Sequence, residues 1–321
     1  MLKPLLFITG FLGAGKTTLL RTLLEEYRKL GRSADVILND FENAEIDAST
    51  LDSTAASIFP ISASCACCDS LDDLVKLCLA ARESSGESLF IELNGTADPL
   101  PLLESFTILE EKLSYFPRWQ IAVIDARHWG NRGVYNALEK RQLETATHWL
   151  LTHSEKLSPS EVDAVSSAVT SINPHASRVT PRELASDLVA SRESADQGDR
   201  QCPPAGERPC ESDSVHDHEH SLSHQFTGYQ IPLPGRFRKY QIQRLLELLP
   251  DEVVRAKALV KLTDPPGTRW LFERTGREAV SEPVEVKNLP NTKTSLVCIG
   301  PALNPGDLDA TVTRHFGWSR S

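Results

Sequence analysis

Along the first 180 residues, short apolar runs alternate with stretches in which apolar side chains recur every three to four positions. Leu5, Leu6, Phe7 and Ile8 form one such run, closed by Thr9, and predict a buried strand over 5–9. From Lys16 onward Leu19, Leu20, Leu23, Leu24 and Tyr27 return at helical spacing until Gly31 stops them, which predicts a helix over 16–30. The same reading places strands over 36–38, 89–93, 121–124 and 149–152. A helix is expected over 70–81, with Asp72 and Asp73 in its first turn, where carboxylates suit the helix dipole. Strand, helix, strand in succession predicts an α/β fold: a mostly parallel sheet with right-handed crossovers, flanked by helices.

Between 185 and 225 the pattern lapses into Ser, Asp, Glu, Pro and His with few large apolar residues, the composition of a flexible linker. Periodicity resumes with an expected strand over 226–233 and an amphipathic helix over 240–249 that ends at Pro250. Strands over 254–262, 269–273 and 295–299 and a last helix over 307–315 complete the pattern. The expected organisation is a first domain over 1–184, a His- and acid-rich linker over 185–225, and a smaller α+β domain over 226–321.

Composition narrows the setting. The chain has 321 residues, 24% of them charged and 40% hydrophobic, with a formal net charge of -10. No apolar stretch approaches the ~20 residues needed to span a bilayer, and no signal-peptide pattern opens the chain. The negative balance disfavours broad attraction to nucleic acid or anionic lipid. A cytoplasmic protein with neither nucleic acid nor membrane as partner is expected. Of the seven cysteines (Cys65, Cys67, Cys68, Cys78, Cys202, Cys210 and Cys298), three fall within four positions. An odd total and such close neighbours make a poor disulfide framework, so a metal or redox role in a reduced compartment fits better.

The strongest chemical signal is Gly10-Phe11-Leu12-Gly13-Ala14-Gly15-Lys16-Thr17, which satisfies G-x-x-x-x-G-K-[ST] directly after an apolar strand and before an amphipathic helix. Average composition makes a chance match in such a chain an event of about 1%. Glycines let the backbone amides from Gly13 to Thr17 curl around phosphate oxygens, and the helix N-terminus favours the anion. Lys16 reaches the β and γ phosphates, and the Thr17 hydroxyl ligates Mg²⁺. Cys65-Ala66-Cys67-Cys68 can supply three thiolates to a tetrahedral soft-metal site, with Zn²⁺ as the default cation and Co²⁺ or Cu⁺ as alternatives. His216, His218 and His220 alternate with acids, with His224 close by, a pattern that can capture Zn²⁺ or Ni²⁺ weakly.

Four segments together resemble one family. Gly10 to Thr18, Asn39-Asp40-Phe41, Cys65-x-Cys67-Cys68 and Glu92-x-x-Gly95-x-Ala97-Asp98-Pro99 look like the CobW-type P-loop GTPases, metal chaperones and insertases related to the nickel chaperones of hydrogenase and urease. The far half also looks similar, through Leu248-Leu249-Pro250 and Val254-Arg255-Ala256-Lys257. The resemblance implies GTP as substrate and Mg²⁺ beside it, with the phosphates held by Gly10, Gly13, Ala14, Gly15, Lys16, Thr17 and Thr18. It implies that Glu92 holds the magnesium shell while the Gly95 N–H meets the γ phosphate. Asp40, after the second strand, is the candidate for a Mg²⁺ or attacking-water contact.

Base recognition maps onto Thr152-His153-Ser154-Glu155, where the family's [NT]-K-x-D would lie. Glu155 keeps the carboxylate on a longer arm, and His153 replaces the lysine that packs over guanine. Ser64 stands where the family has glycine, and Leu93 and Asn94 replace its small hydroxyl residues. The function implied is a nucleotide-dependent, GTP-hydrolysing chaperone that delivers zinc or another transition metal to a client metalloprotein. A nucleotide-dependent homodimer remains open. A nucleotide-gated adaptor without metal cargo is the alternative, and small-molecule kinase chemistry on the same loop has no visible acceptor site.

Overall fold

The computed structural model describes residues 3–38, 55–60, 69–198, 226–264, 268–275, 280–286, 294–301 and 303–318. Among them, seven strands form a parallel sheet: β1 (Lys3–Thr9), β2 (Ala34–Leu38), β3 (Ser57–Pro60), β4 (Ser88–Glu92), β5 (Tyr115–Asp125), β6 (His148–Thr152) and β7 (Ser177–Arg178). Their order is β3-β2-β4-β1-β5-β6-β7, and every registered pair within it runs parallel. Parallel neighbours need crossovers, and helices supply them. Among the described residues, α1 (Lys16–Lys29), α2 (Asp69–Arg82), α3 (Pro99–Ile108), α4 (Asn136–Glu144) and α5 (Pro159–Ile172) lie between successive strands, and α6 (Pro181–Gly198) follows β7.

The described residues divide into two compact units. Unit 1 comprises Met1–Pro99 and Glu110–Phe226, and unit 2 comprises Leu100–Leu109 and Thr227–Ser321. In unit 1, Leu5, Leu6, Phe7 and Ile8 are fully buried, as a central parallel strand covered on both faces requires. The apolar stripe of α1, from Leu19 to Tyr27, packs on one face of the sheet beside Leu184, Ala185 and Leu188 of α6.

That last contact corrects the expected linker, because α6 continues as helix through Gly198. Thr180 and Glu183 cap its start reciprocally: the Glu183 carboxylate accepts the Thr180 N–H at 2.8 Å, and the Thr180 hydroxyl accepts the Glu183 N–H at 3.3 Å. The expected linker beyond 198 lies outside the described residues.

Unit 2 carries a second sheet, of order β12-β11-β10-β13-β8 with β9 on β10. Its strands are β8 (Phe226–Pro232), β9 (Arg236–Phe237), β10 (Arg255–Leu262), β11 (Arg269–Thr275), β12 (Val284–Val286) and β13 (Ser295–Pro301), and its further helices are α7 (Lys239–Leu248) and α8 (Pro305–Phe316). The pairs β10–β11, β10–β13 and β11–β12 are antiparallel.

Alternation along β10 sends Ala256, Ala258, Val260 and Leu262 into a core shared with Ile242, Leu245 and Leu246 of α7 and Leu308 and Val312 of α8. On the intervening positions Arg255 and Lys257 meet the buried Glu104 of α3, at 2.6 and 2.7 Å. Among the described residues no helix is long and apolar enough to cross a membrane.

Candidate functional site

In an open parallel sheet, ligands collect beyond the carboxyl ends of the strands where the winding direction reverses. Here β1 lies between β4 and β5, so the ends of β1, β4, β5 and β6 deliver Gly10, Glu92, Asp125 and Thr152 to one rim. Register brings Ile8 opposite Glu92 and Asp125 opposite Thr152.

The loop after β1 is a phosphate cradle. Gly10, Gly13 and Gly15 take φ of 141°, 71° and 93°, and the Ala14 N–H donates to the Phe11 carbonyl at 3.1 Å. A Cβ at Gly10 would collide with the Val123 carbonyl oxygen of β5, so the strand-to-loop exit admits only glycine. The N-terminus of α1 has no side-chain cap and no acid in its first turn. The dipole of such a helix end favours an anion. Lys16 is 6% exposed, and its Nζ donates to the Phe11 carbonyl at 3.3 Å. Thr18 lies exposed on the first turn of α1.

The Thr17 hydroxyl donates to Glu92 Oε1 at 2.8 Å, and Glu92 is 2% exposed. A hydroxyl and a carboxylate side by side at the mouth of a phosphate cradle are hard oxygen donors of the kind Mg²⁺ takes, so the residues present fit the ion.

The segment after β4 is a tight turn against the cradle. The Leu93 N–H donates to the Ile8 carbonyl at 3.0 Å and the Ala97 N–H to the Asn94 carbonyl at 2.9 Å. Asn94 Oδ1 accepts the Thr96 N–H at 2.9 Å and the Thr96 hydroxyl at 2.8 Å. Asn94, a departure from the family pattern, thus folds the turn itself. A Cβ on Gly95 would sit 2.6 Å from the Leu12 nitrogen, so the turn lies directly against the phosphate loop.

The base segment is tied to the same loop. The Thr152 hydroxyl lies 2.7 Å from the Ala14 carbonyl and 3.1 Å from that of Ile124. His153 takes φ of 55° and leads a single 3₁₀ turn over Ser154–Lys156, on which Glu155 is exposed.

Sequence reasoning did not single out Asp125, although an acid closing an apolar run was its available signal. It is 2% exposed, with the Arg127 guanidinium at 2.9 Å and that of Arg132 at 3.6 Å. Burial alone would raise its carboxyl, but hydrogen bonds and charge from Arg127, with His153 adding to them, hold it below the ordinary range. Arg132 also lies 4.6 Å from the Phe11 ring centroid, and the Tyr135 ring sits 5.4 Å from Phe11.

The structure therefore brings together Gly10, Gly13, Ala14, Gly15, Lys16, Thr17, Glu92, Gly95, Thr152 and His153 around one rim. Asp40, Cys65, Cys67, Cys68, His216, His218 and His220 lie outside the described residues. Among the described residues, no group of three or more His, Cys, Asp or Glu side chains forms a candidate metal cluster.

Two family models match the chain. The CobW/HypB/UreG nucleotide-binding domain matches residues 4–180, and the cobalamin synthesis protein cobW C-terminal domain matches residues 226–314. The chain is 32% identical over 155 residues to the zinc chaperone YjiA of Escherichia coli K12, covering 46% of this chain and 48% of that protein. It is 35% identical over 111 residues to the zinc chaperone CobW of a Sinorhizobium species, covering 32% of this chain and 31% of that one. The chain thus spans about half or less of the length of the curated relatives it matches. Among solved structures, the Zn(II)-bound YjiA GTPase from E. coli aligns over 100% of both chains at 20% identity, with a TM-score of 0.44. The family match runs from β1 through the phosphate loop, Glu92 and Thr152 to the far edge of the parallel sheet, and the chain belongs to the CobW/HypB/UreG family.

Proposed function

We propose that the protein is a GTP-hydrolysing metal chaperone of the cytosol that delivers zinc, or another transition metal, to a client metalloprotein. The carrying observation is the Thr17–Glu92 pair at 2.8 Å beside an uncapped helix N-terminus. Phosphoryl transfer to water needs little covalent chemistry from the protein, so catalysis is positioning and charge stabilisation. Lys16 leaves the Phe11 carbonyl for the β and γ phosphate oxygens, and the amides from Gly13 to Thr17 surround them. The Gly95 N–H serves the γ phosphate, and Asp40 orients the attacking water. Thr17 and Glu92 would hold Mg²⁺, which supplies charge neutralisation of the phosphates when bound. Thr152 anchors the base segment to the cradle, with His153 stacking on guanine and Glu155 accepting its N–H groups.

The metal is cargo rather than a resident cofactor. Cys65, Cys67 and Cys68 suit Zn²⁺ as thiolate ligands, and His216, His218 and His220 suit a weaker capture site. The two relatives named zinc chaperones support zinc over the alternatives. The test is a Zn²⁺ titration with and without a non-hydrolysable GTP analogue. Affinity is expected to differ between the two states and to fall on Cys67→Ser. Equal affinities, or no loss in the variant, would remove the coupling, and competition between GTP and ATP tests the base assignment.

A further inference from the structure

The Asn94–Ala97 turn is held from its far side by a helix that sequence reasoning did not single out. Gln142 of α4 is 2% exposed, and its Nε2 donates to the Gly95 carbonyl at 3.2 Å and the Ala97 carbonyl at 3.0 Å. Both amide protons are thereby spent on one loop. The two acceptor carbonyls also fix the orientation of the amide, because a flipped group would set oxygen against oxygen. Arg141, the preceding residue, places its Nε 3.0 Å from Asp98 Oδ2. The backbone oxygen of Gln142 accepts Gln120 Nε2 at 2.8 Å, and the same nitrogen donates to the Thr9 hydroxyl at 3.1 Å. A buried chain of hydrogen bonds therefore runs from the last residue of β1 to the turn beside the phosphate cradle.

Each peptide plane of this turn has a named restraint. The Ala97 N–H pins the Asn94 carbonyl, and with it the direction of the Gly95 N–H in the same plane. Gln142 pins the next plane through the Gly95 carbonyl and the plane beyond Ala97 through that residue's carbonyl. Among the described residues no acceptor is paired with the Gly95 N–H. Gln142 Oε1 is buried without a donor, a cost of about 1–3 kcal/mol that plain packing would not select.

We propose that Gln142 and Arg141 are positioning residues for the γ-phosphate loop. They hold its carbonyls and Asp98 so that the Gly95 amide is set for a third phosphate before nucleotide arrives. The inference rests on the nucleotide reading above and goes beyond it by assigning two residues a role selective for the triphosphate state.

The experiment measures binding of GDP and of guanosine 5′-(β,γ-imido)triphosphate, in Mg²⁺ buffer, to the full chain and to Gln142→Met and Arg141→Met. Gln142→Met keeps the length but offers no donor, and is expected to weaken the imido analogue tenfold or more while GDP stays within twofold. Arg141→Met, on the partly exposed side of the helix, leaves the core intact and is expected to weaken the analogue about threefold, a factor equal to roughly 0.7 kcal/mol, with GDP unchanged. Arg141→Met keeps the test decisive if Gln142→Met does not fold.

Equal losses for both nucleotides would show a structural role only and overturn the proposal, as would unchanged analogue binding in Arg141→Met. A wild-type chain that binds neither nucleotide would overturn the nucleotide reading itself, and this inference with it.

Discussion

Arg274 is a charge inside a core, and its replacement has a calculable consequence. It lies on β11 at 6% exposure, and its guanidinium donates to the carbonyls of Leu246 at 2.9 Å, Leu249 at 3.1 Å, Pro250 at 3.2 Å and Val253 at 2.8 Å. Pro250 explains the need: the Leu246 carbonyl would ordinarily accept the N–H four residues on, and proline has none. Hydrogen bonds from a charged donor contribute about 1.5–3 kcal/mol each, or roughly 6–12 for four, offset by several kcal/mol for dehydrating the ion. Burial accordingly lowers the pKa of the guanidinium.

Arg274→Met recovers the dehydration cost but strands at least the Leu246 and Leu249 carbonyls, since Pro250 keeps the Val253 N–H at 3.1 Å. Two neutral carbonyls left buried without a donor cost about 1–3 kcal/mol each, or roughly 2–6 together. A unit of about 100 residues has only about 5–15 kcal/mol in total. Thermal denaturation should show unit 2 melting at least ~8 °C earlier, at about 4 °C or more per kcal/mol. Hydrogen exchange should accelerate in β10 and β11. Arg274→Lys, with three donors on one nitrogen, should fall between. A Met variant within 1 kcal/mol of wild type would refute the assignment of the guanidinium as the cap of this helix end.

The Thr17–Glu92 pair predicts a split for Glu92→Gln. The amide still accepts the Thr17 hydroxyl, so the melting temperature should hold or rise, while Mg²⁺-dependent tightening of the GTP analogue should fall tenfold or more; unchanged Mg²⁺ dependence would contradict the role given to Glu92. Burial pushes the thiols of Cys78 and Cys298 up to about 12. Both should stay unlabelled by iodoacetamide at pH 8 in the native protein and react in denaturant, with peptide mass spectrometry as the readout; fast native labelling of either contradicts its burial.

Asp125 titrates below its ordinary value of 3.8, so its contribution to stability is present above about pH 4 and is lost as pH falls through the lower folded value. The melting deficit of Asp125→Asn should therefore be largest at neutral pH and shrink on acidification, whereas a deficit constant from pH 7 to pH 2 would show that its charge is not what matters.

What was legible in the sequence was what local chemistry dictates. The phosphate loop needs glycines, a lysine and a hydroxyl at fixed spacing after a buried strand, and all of these are read without knowing a single contact. Glu92 and Gly95 carry a local mark too, at the end of an apolar run. Gln142 and Arg274 carry none, because hydrophobic patterning sends polar side chains to solvent, and both point inward toward backbone carbonyls whose positions only the folded chain reveals. The helix through Gly198 was hidden by averaging: its segment is rich in Ser, Asp and Glu, and it is held by few residues, Leu184, Ala185 and Leu188, all fully buried. The Thr180–Glu183 cap was the local sign available there. The thiol and histidine motifs remain legible only as spacing, since they fall outside the described residues.

The placement of buried polar groups separates what this fold needs for stability from what it needs for nucleotide. Thr9, Gln120, Gln142, Thr147 and His148 are each at most 3% exposed, yet they cluster where β1, β5, β6 and α4 meet behind the phosphate loop. Gln120 Oε1 and Gln142 Oε1 lie there without a donor, a combined cost of about 2–6 kcal/mol at 1–3 each. Satisfied neutral hydrogen bonds return about 1 kcal/mol each, which offsets that cost, while leucine or methionine would serve a core that only had to pack. Between Lys3 at its start and Thr9 at its end, β1 is apolar from Pro4 to Ile8. Thr9 lies one residue before the loop, and the hydrogen-bonded path from there reaches the buried Gly95 and the half-buried Ala97. A directional network fixes carbonyl orientation in a way that apolar packing cannot. Within it, the two bonds from Gln142 to the Gly95 and Ala97 carbonyls are the part that bears on the geometry of the γ-phosphate loop.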